Sequence, residues 1–263
     1  MYENPRSILI TGASSGIGEA LAIHYANSDI TLFIGGRNEE RLEAVAAKCR
    51  ALGAQVHTWV GEVTDEAEVK AWVTESDTIS PLNLVIANAG VALGAIDVTA
   101  LHRAAVDSFA TNVTGVFNTI HPALELMSTR RPYPVRNAQV ALVSSIMGYA
   151  GVARSPAYSA TKASIKHYGE ALRGTFRAMG IGVSVICPGY VGTPLLGPNA
   201  STKPFQITAD EAARIIAKGL AKNKARISFP WQVVLIARLC INLPAFIVDR
   251  INKPWGVPRL EDA

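Results

Sequence analysis

The chain has 263 residues, of which 49% are hydrophobic and only 17% charged, with 25 lysines and arginines against 21 acids and a net charge of +4. That size and apolar content exclude a disordered or collagen-like chain and suit one large core. The basic residues are scattered and form no strip, which argues against a nucleic-acid partner, and three distant cysteines (Cys49, Cys187, Cys240) give neither a disulfide framework nor a CxxC metal pair.

In chain order, the N-terminus lacks a basic flank followed by an apolar run, so it does not read as a signal peptide, and a cytoplasmic location is expected. Short β-branched runs follow at Ser7 to Ile10, Thr31 to Ile34, Val56 to Val60, Leu84 to Ala87, Val140 to Val143 and Val183 to Cys187, with a seventh at Arg226 to Phe229. Between them the spacing predicts helices over Ile17 to Asn27, Glu39 to Leu52, Glu66 to Glu75, Leu101 to Met127, Ala157 to Ala178 and Ala209 to Lys222, with Asp65 and Thr208 as helix caps. Strands alternating with helices predict an α/β fold: a Rossmann-like, doubly wound parallel sheet of about seven strands, helices on both faces, in a single domain. The catalytic unit is expected to span residues 1–229, with an apolar extension over 230–263.

After the first strand comes Gly12-Ala13-Ser14-Ser15-Gly16-Ile17-Gly18. Its glycines let the backbone turn tightly and approach a pyrophosphate, and the start of the following helix favours negative charge. The second strand ends in Gly35-Gly36-Arg37-Asn38, where NAD-binding folds often carry an acid for the ribose hydroxyls. Arg37, with Ser14 and Asn38, would instead pair with a 2′-phosphate, so NADP(H) is the expected cofactor. Tyr158 and Lys162 stand four residues apart, on one side of a helix, where a cation would favour a phenolate and lower the tyrosine pKa.

Taken with Ser144-Ser145 at the end of the fifth strand and Asn112 in Asn112-Val113-Thr114-Gly115, this pattern resembles the short-chain dehydrogenase/reductase family from about Ser7 to about Phe229. The family's TGxxxGxG turn matches Thr11 through Gly18, and its NNAG appears as Asn88-Ala89-Gly90 after Ala87, lacking the first asparagine. The resemblance implies a catalytic set of Asn112, Ser145, Tyr158 and Lys162, the spacing to Gly148 selecting Ser145 over Ser144. Asn112 would position a water linking Lys162 to solvent. It also implies that Pro188-Gly189, Val191 and Thr193 face the nicotinamide, and that Glu62-Val63 reach the adenine although the family more often has aspartate there. The implied activity is hydride transfer between NADP(H) and a carbonyl/alcohol pair, in an enzyme that forms a homodimer or homotetramer.

The substrate wall is expected to include Ser145, Met147, Tyr149, Val152, Tyr158, Leu195 and Leu196, the apolar loop after Pro188 favouring an apolar ketone or aldehyde. The tail beyond Phe229, with Trp231, Leu235, Leu239 and Phe246, is more apolar than a solvated end requires, and should pack on its own domain, a partner subunit or a membrane surface. The alternative is a noncatalytic NADP(H)-binding regulatory or scaffold protein on the same fold. No GxSxG surrounds Ser145, and the five histidines show no HExxH-type spacing, which disfavours hydrolase and metal chemistry.

Overall fold

The computed structural model describes residues 5–93, 98–132, 137–153, 155–196, 203–241 and 243–252. Seven strands form one sheet: β1 (Ser7–Thr11), β2 (Thr31–Gly36), β3 (Gln55–Val60), β4 (Leu84–Ala87), β5 (Gln139–Val143), β6 (Gly182–Pro188) and β7 (Arg226–Phe229). They are parallel throughout, in the order β3-β2-β1-β4-β5-β6-β7. The order reverses direction between β1 and β4, and such a switch point opens a crevice at the carboxyl ends of the strands.

The helices are α1 (Gly16–Tyr25), α2 (Glu39–Ala51), α3 (Glu66–Ile79), α4 (Val98–Phe109), α5 (Gly115–Thr129), α6 (Pro156–Phe176), α7 (Ala209–Ala221), α8 (Trp231–Ile241) and α9 (Ala245–Asn252). Asp65 and Thr208 cap α3 and α7 by accepting from Glu68 N at 2.9 Å and Glu211 N at 3.1 Å. Successive strand residues serve opposite faces. Ile8, Ile10, Leu32 and Ile34 pack under α1, α2 and α7, while Leu9, Phe33, Val140 and Leu142 pack under α3, α5 and α6. Both faces of the five central strands are therefore dry, which is why those strands read as unbroken apolar runs.

One expectation is corrected. The helix predicted from Leu101 to Met127 is interrupted by a π-helical turn over Ala110–Thr114, which joins α4 to α5 and carries Asn112. Periodicity spans such an insertion without showing it, and π-turns of this kind recur at functional sites. Helix α8 packs against β7 and the 3-10 turn Ile146–Gly148 through a face centred on buried Val234, and the tail leaves Trp231, Leu235, Ile236, Leu239 and Phe246 exposed.

Candidate active site

A cavity of about 780 Å³ opens at the carboxyl ends of the strands and runs from the glycine-rich turn to the start of α6. That volume lies within the range of small-molecule and cofactor sites. At one end the turn after β1 is closed by β4. The Thr11 hydroxyl accepts from the backbone N–H groups of Asn88 (3.0 Å) and Ala89 (3.1 Å), and the Asn88 amide donates to the carbonyls of Thr11 (3.0 Å) and Gly12 (3.1 Å).

Two glycines are dictated by this closure. Gly12 sits at φ +66, and a Cβ there would stand 2.7 Å from Ala89 Cα. A Cβ on Gly18 would stand 2.3 Å from Gly12 O and 2.6 Å from Asn88 Nδ2. Gly18, expected to contact cofactor, does not line the cavity; it lets α1 approach the turn that does. Gly18→Ala is expected to destabilise the protein by about 1–3 kcal/mol through overpacking and to weaken dinucleotide binding. Denaturant unfolding and nicotinamide fluorescence check this, and wild-type stability in the variant would show that the turn relaxes freely.

The walls bring together Ser14, Ser15, Gly16, Ile17, Arg37 and Asn38 on the β1 and β2 side, with Glu62, Val63, Asn88, Ala89 and Gly90 beyond β3 and β4. Asn38 caps α2, its carbonyl oxygen accepting from Arg41 N at 2.8 Å. Arg37 lies 4.0 Å from Glu62, both side chains largely exposed, so the pair is solvent-screened and weak. Glu62, expected at the adenine amino group, lines the cavity beside this guanidinium. Sequence reading missed Arg41, Trp59, Val91 and Leu93, which also line the cavity. The Arg41 signal was legible as a second cation four residues after Arg37, one helical turn on.

At the other end, β5 delivers Ser144 and Ser145 side by side with different tasks. Ser144 donates to the Lys162 carbonyl at 2.6 Å, pinning α6 to the sheet. Ser145 accepts from Met147 N at 3.1 Å and hydrogen-bonds the Tyr158 phenol. A Cβ on Gly148 would stand 2.7 Å from the Lys162 carbonyl, so the turn after Ser145 rests directly on α6. Pro188, Gly189, Val191 and Thr193 complete this end, with Thr193 packed against Gly16, and Gly189 N donating to Phe229 O at 2.7 Å.

Lys162 is fully buried and donates to Val143 O at 2.9 Å, and its ammonium lies 5.5 Å from the Tyr158 ring centroid. Burial lowers its pKa to about 8. The expected fall in the Tyr158 pKa is not found. Burial raises it, more than the Ser145 hydrogen bond lowers it, and the lysine ammonium is bonded to a backbone carbonyl. Tyr158 is therefore a neutral phenol at physiological pH, a proton donor in waiting.

Asn112 is buried, outside the cavity lining, and its side chain is committed. It accepts from Val91 N (2.7 Å) and donates to Val91 O (2.9 Å) and Thr161 Oγ1 (3.1 Å). Its amide thus ties the strand following β4 to α6, and a Cβ on Gly90 would lie 3.0 Å from its oxygen and 3.4 Å from Lys162 Nζ.

Of the expected substrate wall, Ser145, Met147, Tyr158 and Leu195 line the cavity. Tyr149 does not. Its hydroxyl bonds Ser228 at 3.0 Å and its ring centroid lies 5.3 Å from Lys166 Nζ and 5.6 Å from Arg226 Cζ, both of which pair with Glu170. Val152 is also off the wall, its N–H reaching Ser159 at 3.4 Å. The Leu196 side chain lies outside the described residues.

Comparison with known proteins agrees with this geometry. Residues 6–204 match the family model described as short chain dehydrogenase. An uncharacterized oxidoreductase of Myxococcus xanthus (strain DK1622) is 33% identical over 249 residues, 93% of this chain and 95% of that protein. The 17-beta-hydroxysteroid dehydrogenase 13 of Rattus norvegicus is 27% identical over 253 residues, 94% of this chain and 82% of that one. Among solved structures, a short chain dehydrogenase/reductase from Burkholderia phymatum in complex with NAD superposes with a TM-score of 0.79 at 22% identity, covering 91% of this chain and 94% of that one. From the family match, the relative at 33% identity and the all-parallel fold, the chain belongs to the short-chain dehydrogenase family.

Proposed function

We propose that the protein is an NADP(H)-dependent oxidoreductase that reduces an apolar ketone or aldehyde to its alcohol. The observation that carries the reading is the convergence of Ser145, Tyr158 and Lys162 at one end of a cavity whose other end is a glycine cradle with Arg37. The cradle fits a dinucleotide, because Gly12 and Gly16 line the cavity as bare backbone that a pyrophosphate can approach, while Gly18 lets α1 close up behind the turn. Ser14, Ser15, Gly16, Ile17, Asn88, Ala89 and Gly90 would hold that dinucleotide along the turn, with Val63 at its adenine end and Pro188, Gly189, Val191 and Thr193 near the reacting ring.

When bound, NADPH supplies the hydride for the carbonyl carbon. Tyr158 gives its phenolic proton to the carbonyl oxygen as negative charge gathers there, and Ser145 donates a hydrogen bond to that same oxygen. The neutral phenol of the free protein is already in the form that reduction needs. Lys162, with a pKa near 8, stabilises the phenolate left behind and helps restore its proton. Asn112 acts as a positioning residue, holding Val91 and Thr161 together. Val91, Leu93, Met147 and Leu195 give the reacting end an apolar wall, which favours a hydrophobic substrate. The similar 17-beta-hydroxysteroid dehydrogenase is named for a substrate of that kind.

The Burkholderia structure holds NAD, so the shared fold does not choose between the cofactors. Arg37 does, in this reading, because no carboxylate ends β2, and because Arg41 adds a second cation on the same wall. Arg37→Asp is expected to weaken NADPH binding about tenfold to a hundredfold, the worth of a charge-assisted hydrogen bond, while leaving NADH nearly unchanged. Fluorescence titration with both cofactors tests it, and equal losses would remove Arg37 as the reader of the phosphate.

A further inference from the structure

We infer that α8 and α9 form a docking surface for an anionic lipid bilayer, set at the rim of the active-site cavity. Trp231, Leu235 and Leu239 recur at four-residue spacing along α8, and Phe246 is a further large apolar side chain on α9. Their exposures are 71%, 51%, 62% and 72%, and Ile236 adds another exposed side chain. Solitary exposed apolar residues are ordinary; five large ones on two consecutive helices are not.

The occupant follows from composition and place. α8 contains no acidic residue and is apolar nearly all round; its side bearing Gln232, Val233, Val234 and Ala237 meets the protein, and the side bearing Trp231, Leu235, Ile236 and Leu239 does not. A helix with that character requires an apolar medium on its other side. At 11 residues it is far too short to cross a bilayer, and no helix among the described residues is long and apolar enough to do so. It can lie in the interface, with Trp231 at one end and Arg238 and Arg250 at the rim, two basic side chains against the single acid Asp249 of the two helices, a balance that suits anionic headgroups. The chain's overall charge of +4 acts in the same direction.

The surface is also continuous with the cavity. The tail departs at Pro230, whose Cδ would stand 2.9 Å from a Cβ on Gly189, a cavity-lining residue. Helix α8 then lies against the Ile146–Gly148 turn, which carries Met147 of the cavity wall. Docking through α8 would therefore bring the cavity rim beside the bilayer, where an apolar ketone dissolves. That substrate clause rests on the function proposed above; the docking itself does not.

The test is co-sedimentation of the full chain with vesicles of phosphatidylcholine alone, and of phosphatidylcholine with phosphatidylserine. The wild type is expected to partition onto vesicles, more strongly onto the anionic ones. Leu235→Glu/Leu239→Glu should weaken that partition roughly tenfold or more, each change removing the burial of one leucine. Trp231→Ser, at a position too exposed to affect folding, should weaken it in the same direction. Light scattering without lipid should give the same mass for wild type and variants. Absence of the wild type from both pellets, equal partition onto both vesicles, or unimpaired binding by the variants would overturn the proposal. A mass that halves in the variants, with no lipid binding by the wild type, would assign the surface to a second copy of the chain. NADPH-dependent turnover of a water-soluble ketone, measured on the same preparations, reports separately on the catalytic reading.

Discussion

Tyr158→Phe is expected to lower turnover by about a hundredfold to ten-thousandfold, the usual contribution of a positioned general acid, while leaving NADPH affinity close to wild type. The substitution removes one hydroxyl and keeps the buried ring, so the fold has no cause to change. What disappears is the proton aimed at the carbonyl oxygen and the bond to Ser145. Phenylalanine carries no proton to give, so no pH adjustment can restore the variant. Single-turnover rates with NADPH, paired with a fluorescence titration, separate chemistry from binding. Turnover comparable to wild type would assign the proton to another group.

The second large effect is expected at Lys162, in two opposed directions. Burial depresses its pKa from 10.5 to about 8, so at neutral pH the folded protein holds a charge it would lose more readily than the unfolded chain. That difference amounts to about 3 kcal/mol at 1.36 kcal/mol per unit. Lys162→Met removes the penalty but leaves the Val143 carbonyl without its donor, a loss of about 1–3 kcal/mol. The variant without cofactor should therefore be at least as stable as wild type at pH 7, and up to about 2 kcal/mol more stable, while its turnover collapses. The pH dependence fixes the sign. Below about pH 8 the wild type bears the full cost; between 8 and 10.5 its folded lysine sheds a proton that the unfolded lysine keeps, so wild-type stability rises relative to the variant. Denaturant unfolding of both proteins across that window measures it, and a variant markedly less stable at pH 7 would show that the ammonium contributes more through its hydrogen bond than burial costs.

Much of this architecture was legible in the chain. The five central strands, buried on both faces, are short and β-branched and announced themselves, as did the more exposed β3 and β7, and no boundary moved by more than two residues. The π-helical turn at Ala110–Thr114 was not legible, because one inserted residue scarcely disturbs apolar periodicity over a long helix. Within the cavity, residues fixed by backbone geometry were readable from local sequence: Gly12 and Gly18 through close approach, and Tyr158 and Lys162 through one turn of helix. Side-chain direction was not. Tyr149 stands four residues from Ser145, yet the 3-10 turn between them rotates it toward Ser228, Lys166 and Arg226. The cations that hold it come from α6 and β7, far away in sequence. The direction of the Tyr158 pKa was likewise a tertiary matter, set by burial and by where the Lys162 ammonium found its acceptor. The tail's apolar composition was plain, but a sequence cannot say which part of such a segment its own domain covers.

The most direct measurement is the fate of a label. The protein would be incubated with NADPH deuterated at the transferable position and a panel of apolar ketones and aldehydes, and the alcohols formed analysed by mass spectrometry. An alcohol bearing one deuterium on its carbinol carbon, formed in step with cofactor oxidation by the wild type and far more slowly by Tyr158→Phe, is the predicted result. Tight NADPH binding with no labelled alcohol from any member of the panel would contradict the account and favour a noncatalytic NADP(H)-binding protein on the same fold.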